Sequence, residues 1–269
     1  MPILHIAILA LIQGVTEFLP ISSSGHLVLV PVLAGWPDQG LTIDVAVHVG
    51  TLGAVLLYFW RDLGLMAHGT VQVARGGRAN PGAKLFFLLV AASVPVVVAG
   101  FLVNHYWPNG FRSVEVIGWT TLGFGIVLWL TDRMGMTMRR IDHLCWSDAL
   151  VIGLAQTLAL VPGTSRAGIT MSAARLLGME RTDAARFSML LSIPTILGAG
   201  VLKGIDLYGA NDPVLTANAF IAASLAFITA LVAIAILMAW LKRATFTPFV
   251  VYRVILGTGL LALSYGWFM

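Results

Sequence analysis

Six stretches of the chain are apolar and nearly free of charge: residues 43–60, 85–103, 114–131, 187–204, 217–241 and 249–268. Each is long enough, or nearly so, to cross about 30 Å of hydrocarbon as a helix. Two further regions are apolar but interrupted. Residues 3–19 and 25–35 flank the segment GVTEFLPISSSGH, and 147–161 and 167–178 flank PGTSR. Each half is too short to cross comfortably. Each break combines Pro and Gly with Ser or Thr, the residues of a turn followed by a helix start. The pattern predicts six spanning helices and two re-entrant helix–break–helix hairpins. Irregular backbone at membrane depth is tolerated only inside protein or beside water.

Composition agrees with an all-α polytopic membrane protein. Of the 269 residues, 58% are hydrophobic and 10% are charged, against roughly 25% charged in soluble domains. Mean hydropathy is +0.91. The net charge of +4 is carried by basic residues in short loops, which speaks for membrane orientation and against nucleic-acid binding. Cys145 is the single cysteine, so an intrachain disulfide or a thiolate metal site is excluded. The opening MPILHIAILALIQG lacks a basic n-region and a small-residue cleavage site, and is expected to belong to the mature fold.

Loop charge gives an orientation. Arg61, Arg75, Arg78 and Lys84 share one connection, and Arg133, Arg139 and Arg140 another. Arg181 and Arg186 precede the fourth run, and Lys242 and Arg243 follow the fifth. The opposite loops hold only Arg112 and Lys203. The positive-inside rule places the first group in the cytoplasm. The first hairpin then opens to the outside and the second to the inside.

That arrangement suggests one membrane domain, 1–269, made of inverted repeats at about 1–131 and 142–269. Pro20-Ile21-Ser22-Ser23 parallels Pro162-Gly163-Thr164-Ser165, and Gln13 parallels Gln156. Leu52-Gly53-Ala54 parallels Leu197-Gly198-Ala199, and Asp62-Leu63 parallels Asp206-Leu207, all at offsets of 142 to 145. An odd number of spans per repeat inverts the second copy, as in many transporters.

The breaks carry the candidate chemistry. A helix starting near Ser24 puts Ser22 or Ser23 at its N-cap, where free N–H groups favour an anion. Ser23 and His26 are three apart, on one helical face, and a histidine beside a serine suits acid–base work. Gln13 and Glu17, four apart on the preceding helix, offer oxygens suited to Mg²⁺ or Ca²⁺. In the second break Arg166 presents a fork matched to phosphate oxygens. Ser165 or Thr164 caps the following helix, and Thr170 shares the face of Arg166. Ionisable groups at membrane depth are functional by default. If the two breaks meet, Ser22, Ser24, Gly25, Gly163, Thr164, Ser165 and Thr170 form a cradle for a multiply charged anion.

Other polar residues read as bland. Asp142 precedes the second hairpin as a loop charge. His48 reads as a packing or interhelical hydrogen-bonding residue. Arg253 is expected to face the cytoplasmic interface of the last span, where its long side chain can snorkel. Trp60, Trp107, Trp129, Trp146, Trp240 and Trp267 fall near run ends, as an aromatic belt does.

The segments IQGVTEFLPISSSGH and LVPGTSRAGIT, together with the later FTPFVVYR, resemble the signature motifs of the undecaprenyl-diphosphate phosphatases, the bacitracin-resistance family. The resemblance runs the full length. It implies removal of the terminal phosphate from a C55 prenyl diphosphate, so recycling the lipid carrier of cell-wall polymer synthesis. It also implies Mg²⁺ or Ca²⁺ as cofactor and a multi-pass place in the bacterial cytoplasmic membrane, with the site facing outside. Partners are then the polyprenyl diphosphate, membrane lipids and, as a homodimer, a second copy. By the resemblance, the acidic motif falls on Gln13 and Glu17, with Gln13 standing where some relatives have Glu. The catalytic set falls on Glu17, Ser23, His26 and Arg166. An acidic metal position falls on Asp142, and Ala167 replaces a serine of many relatives. Two mechanisms stay open: a Ser23 nucleophile with His26 as base, or direct attack by water. A lipid flippase built on the same broken helices is the alternative function.

Overall fold

The computed structural model describes residues 2–37, 40–78, 80–106, 113–210 and 212–267; the side chains of 41 and 199–210 lie outside the description. Arg112, Trp107 and the side chain of Lys203 therefore fall outside the described residues, as do the side chains of Asp206 and Leu207. The described residues form eleven α-helices and two short 3₁₀ turns, with no strand.

The helices are α1 (Ile3–Thr16), α2 (Ser23–Ala34), α3 (Gly40–Tyr58), α4 (Trp60–Ala74), α5 (Pro81–Tyr106) and α6 (Val114–Met134). They continue as α7 (Trp146–Thr157), α8 (Arg166–Leu176), α9 (Arg181–Ala210), α10 (Pro213–Leu241) and α11 (Thr247–Ser264). Four of them, α5, α6, α10 and α11, are long and apolar enough to cross a membrane. The α3–α4 pair, bent by 78°, makes a fifth if counted as one span. Only 22–33% of each apolar window is buried inside the protein. The remaining apolar surface needs a hydrocarbon solvent, which makes this an integral membrane protein.

The run at 43–60 ends at a corner, because α4 turns away at Phe59. Helix α4 occupies the connection that carries Arg61 and follows the first apolar run. It is amphipathic, burying Asp62, Met66 and Gly69 against its neighbours while exposing Trp60 and Leu65, and a spanning-run reading overlooks such a helix.

The two interrupted regions fold as expected from their breaks. α1 and α2 hold 14 and 12 residues, α7 and α8 hold 12 and 11. At 1.5 Å per residue none exceeds about 21 Å, so none spans alone. α8 is wrapped by α6, α7 and α9, and Ala167 through Arg175 are all buried. α1 packs on α10, and α7 packs on α5. Close approach uses small residues, as in other membrane bundles: a methyl at Gly50 of α3 would run into the Ala223 carbonyl of α10.

Charges gather at the ends of α6, α8 and α9. Asp132 accepts from Arg175 Nε at 3.1 Å and Arg181 Nε at 2.7 Å. Asp148 pairs with Arg139 at 2.5 Å, and Arg186 with Asp62. These ion pairs tie α6 to α8 and α9, α9 to α4, and the connection between α6 and α7 to α7.

Candidate active site

The two breaks meet. Arg166, first residue of α8, donates from Nη2 to Glu17 Oε1 at 2.7 Å. Glu17 Oε2 accepts from Ser23 Oγ at 2.6 Å and from Gln13 Nε2 at 2.9 Å. The Glu17 side chain is 4% exposed, and a carboxylate this deep persists only when paired and hydrogen-bonded. Helix spacing explains the set. Gln13 lies one turn before Glu17, the residue that caps the C-terminus of α1, while the Pro20 corner turns the chain so that Ser23 comes back onto the same carboxylate.

Backbone geometry holds the two tips alike. Ser22 and Ser165 are the two non-glycine residues with positive φ among the described residues, at 78° and 70°. Each N-caps its helix, accepting from Gly25 N at 3.4 Å and Gly168 N at 3.1 Å. Such conformations cost of order 1–3 kcal/mol and cluster at functional sites. The cap choice left open by the sequence resolves to Ser22 and Ser165, which leaves Ser23 free to turn toward Glu17.

A cavity of about 390 Å³ opens beside these groups. Its polar lining is Glu17, Ser23, Ser24, Asp44, His48, Gln156, Ser165, Arg166 and Thr195; Leu27, Val28, Val45, Val96, Leu160 and Ile196 give it an apolar wall. A charged head and an aliphatic chain could share it.

Not every expected residue reaches the cavity. Ser22 is consumed by capping, and buried Gly25 packs between Ser22 and Ile117. The Gly163 carbonyl accepts from Thr121 Oγ1 and from Arg253. Thr170 Oγ1 donates to the Arg166 carbonyl at 2.8 Å and meets Ser188 Oγ at 2.6 Å, and the Ser188 carbonyl accepts from Arg166 Nη1 at 3.3 Å; Thr170 braces Arg166 at the start of α8. Thr164 is fully buried, its hydroxyl unpaired among the described residues.

His26 does not pair with Ser23. Its Nδ1 donates to the Ser22 carbonyl at 2.6 Å, and its Nε2 lies 2.5 Å from Tyr252 Oη. A carbonyl only accepts, so Nδ1 carries a proton and Nε2 of the neutral ring receives the phenol's. Asp142 stands apart as well. It lies in the 3₁₀ turn Ile141–His143, exposed, at the far end of α7 from the break, about 18 Å away along twelve residues. It lines a separate cleft with Lys84.

Two residues read as bland belong to the site. His48 places Nε2 3.5 Å from Glu17 Oε2, while its Nδ1 donates to the Asp44 carbonyl at 2.6 Å. Arg253 is not at an interface. It is fully buried on α11 and donates to the carbonyls of Pro20, Thr120, Thr121 and Gly163. One guanidinium thus ties the first tip to the second. A lone Arg in an apolar run was the available signal, and snorkelling was the wrong account of it.

A divalent ion has a partial donor set here. Among the described residues no three His, Cys, Asp or Glu side chains cluster as a cage. Glu17 and Asp44 line the same cavity, and buried Gln13 Oε1 lacks a hydrogen-bond partner among the described residues. Hard cations bound through one or two carboxylates plus substrate phosphates need no more, so these residues fit an ion shared with a phosphorylated ligand.

A model of the bacitracin resistance protein BacA family matches residues 6–259. The chain belongs to this family. It is 53% identical to "Undecaprenyl-diphosphatase 1" of Rhodospirillum rubrum, over 98% of this chain and 96% of the relative. Identity is 52% to the undecaprenyl-diphosphatase of Roseobacter denitrificans and 48% to that of Ruegeria pomeroyi, each over 98% of this chain and the whole of the relative. The family match takes in both tips, Glu17 and Arg166.

Proposed function

We propose that the protein is an undecaprenyl-diphosphatase, which hydrolyses the C55 prenyl diphosphate to the monophosphate and inorganic phosphate. Recycling this carrier serves cell-wall synthesis and confers bacitracin resistance. The observation that carries the reading is the Glu17–Ser23–Arg166 cluster in a half-apolar cavity, within a chain about half identical to proteins bearing that name. The flippase reading is not favoured: a carrier needs Arg166 but gains nothing from a serine hydroxyl set on a buried carboxylate.

Ser23 Oγ is the proposed nucleophile. It forms a bond to the terminal phosphorus while its proton passes to Glu17 Oε2, and the bond to the bridging oxygen breaks with its electron pair leaving on the prenyl monophosphate. Water then attacks the phosphorus of phosphoserine, and the bond from phosphorus to Ser23 Oγ breaks with its electron pair on Oγ, which takes back the proton held by Glu17 Oε2; of the water's protons one stays on the released phosphate and the other passes to His48 Nε2, whose lone pair is free while Nδ1 donates to the Asp44 carbonyl. Arg166 holds the phosphoryl oxygens, and positioning and electrostatics supply most of the rate. Mg²⁺ or Ca²⁺ held by Glu17 and Asp44 would neutralise diphosphate charge. His26 is assigned to positioning the first tip. The remaining topology belongs to the same proposal: six spans, two re-entrant hairpins in inverted repeats, and a cavity open to the outer face of the bacterial cytoplasmic membrane. The equal offset of 143 between Gln13 and Gln156, Ser22 and Ser165, and Gly25 and Gly168 supports the repeat.

The test is phosphate release from a C55 prenyl diphosphate by purified protein in detergent. Release that a chelator suppresses and Arg166→Ala abolishes is expected. Absence of release by the metal-loaded wild type would overturn the proposal.

A further inference from the structure

Gln156 sits in the last turn of α7, fully buried, and lines the cavity with Glu17, Ser23 and Arg166. Neither end of its amide has a hydrogen-bond partner among the described residues. A buried primary amide left with two donors and an acceptor unused is costly, and native proteins keep few of them. The first half of the chain shows what such a glutamine ordinarily does. Gln13, 143 positions earlier, gives its Nε2 to Glu17 one turn further on. One turn after Gln156 the chain has Leu160. No partner takes its place among the described residues, and the unpaired amide belongs to a residue of the cavity wall.

We propose that Gln156 is a catalytic residue that contacts the phosphoryl group undergoing transfer: Nε2 donates to a terminal phosphoryl oxygen, and Oε1 accepts from the water that attacks it. The inference rests on the phosphatase reading of this cavity and adds a residue that neither the motifs nor the serine–carboxylate pair supplies. An amide suits this position on chemical grounds. It is neutral, so it can approach both an anion and a water without adding charge. Its rigid plane fixes donor and acceptor about 2.3 Å apart on one carbon, a spacing suited to a phosphate oxygen and an incoming water. Glutamine orients the attacking water in this way in other phosphoryl-transfer sites. Gln156 exchanges no proton, so the atom balance of the reaction is unchanged.

The test compares wild type with Gln156→Leu and Gln156→Glu in detergent, using turnover of prenyl diphosphate, inhibition by orthovanadate and by inorganic phosphate, and thermal melting. Losing one preorganised donor should lower kcat by about 100- to 1,000-fold. Vanadate inhibition should weaken by a similar factor in Gln156→Leu, with melting held or raised because a buried polar group has been replaced by an apolar one. Gln156→Glu should weaken phosphate inhibition further through like charge. Unchanged kcat and unchanged vanadate inhibition would overturn the assignment. So would a loss of turnover that tracks a lowered melting temperature in both variants while vanadate inhibition stays as in wild type. If the wild type releases no phosphate, the phosphatase reading fails; a shift of phosphate-induced thermal stabilisation in Gln156→Leu would still place an oxyanion on this amide, and no shift would remove it.

Discussion

Arg166 and Glu17 form an ion pair across 149 positions of chain, with side chains 16% and 4% exposed. Among the described residues it is the one charge-to-charge link between the two tips at the cavity. Breaking a buried pair from one side leaves the other charge uncompensated, at about 3–5 kcal/mol. Glu17→Gln and Arg166→Met should therefore each destabilise the protein in detergent melts. The double variant should recover much of that loss, with a coupling of about 1–3 kcal/mol, yet remain inactive. Additive losses in the double variant would show that the pair does not hold the tips.

Ser23 has the shortest contact to Glu17, at 2.6 Å. Ser23→Ala should lower kcat by at least about a hundredfold with little change in melting, since a partly exposed hydroxyl is lost. Quenching wild type with ³²P-labelled substrate should trap label on Ser23. Turnover within a few-fold of wild type in Ser23→Ala would leave water as the direct nucleophile.

His26 distinguishes base from brace. With Nδ1 on the Ser22 carbonyl and Nε2 at Tyr252, its observed contacts hold the cap of α2. His26→Asn retains an amide donor for the Ser22 carbonyl and should keep more activity than His26→Ala. Its pH–rate profile should keep the wild-type shape, because the titrating groups are elsewhere. Loss of one limb of that profile in His26→Asn would restore His26 as the base. Tyr252→Phe should lower kcat only a few-fold, since it removes a single hydrogen bond.

How much of this was readable follows the range of each interaction. The breaks were legible because Pro, Gly and Ser punctuate apolar runs locally, and the site's charges were legible because Glu17 and Arg166 are rare in such company. The capping serine was ambiguous, since neighbouring serines differ only in φ, and only Ser22 adopts 78°. His48 looked bland because its partner, Glu17 at the end of α1, is 31 positions away, and Tyr252 meets His26 across 226. Asp142 was overrated because sequence nearness to a hairpin says nothing about which end of α7 faces the cavity. Arg253 was misplaced because its partners are four carbonyls, and backbone acceptors leave no signature in a sequence.

Arg253 should be a stability residue with a catalytic consequence. Its guanidinium satisfies carbonyls from both tips and from α6. Arg253→Met leaves these acceptors unpaired at about 1–3 kcal/mol each for those that stay dry. Melting should fall sharply, and kcat should fall further than melting alone explains at a temperature where the variant is folded. Arg253→Lys keeps the charge but has no planar fork to span four carbonyls, so it should be intermediate in both measures. Wild-type stability in Arg253→Met would show that the carbonyls find other donors.

Gly163 gives the sharpest backbone test. Its φ is +91°, and a methyl there would meet Thr120 Oγ1 and the Ile117 carbonyl on α6. Non-glycine residues are disfavoured in left-handed backbone by about 1–2 kcal/mol, and the clash adds to that. Relief requires the second tip to move away from α6, which would carry Arg166, three residues on, out of reach of Glu17. Gly163→Ala should therefore lose activity steeply and stability by at least about 2 kcal/mol. Gly123→Ala on the same α6 is the control: a methyl there meets nothing within 4 Å, and a helical glycine replaced by alanine gains up to about 1 kcal/mol. If Gly163→Ala behaved like Gly123→Ala in melting and turnover, the tip would not be fixed by its packing on α6, and the placement of Arg166 would need another cause.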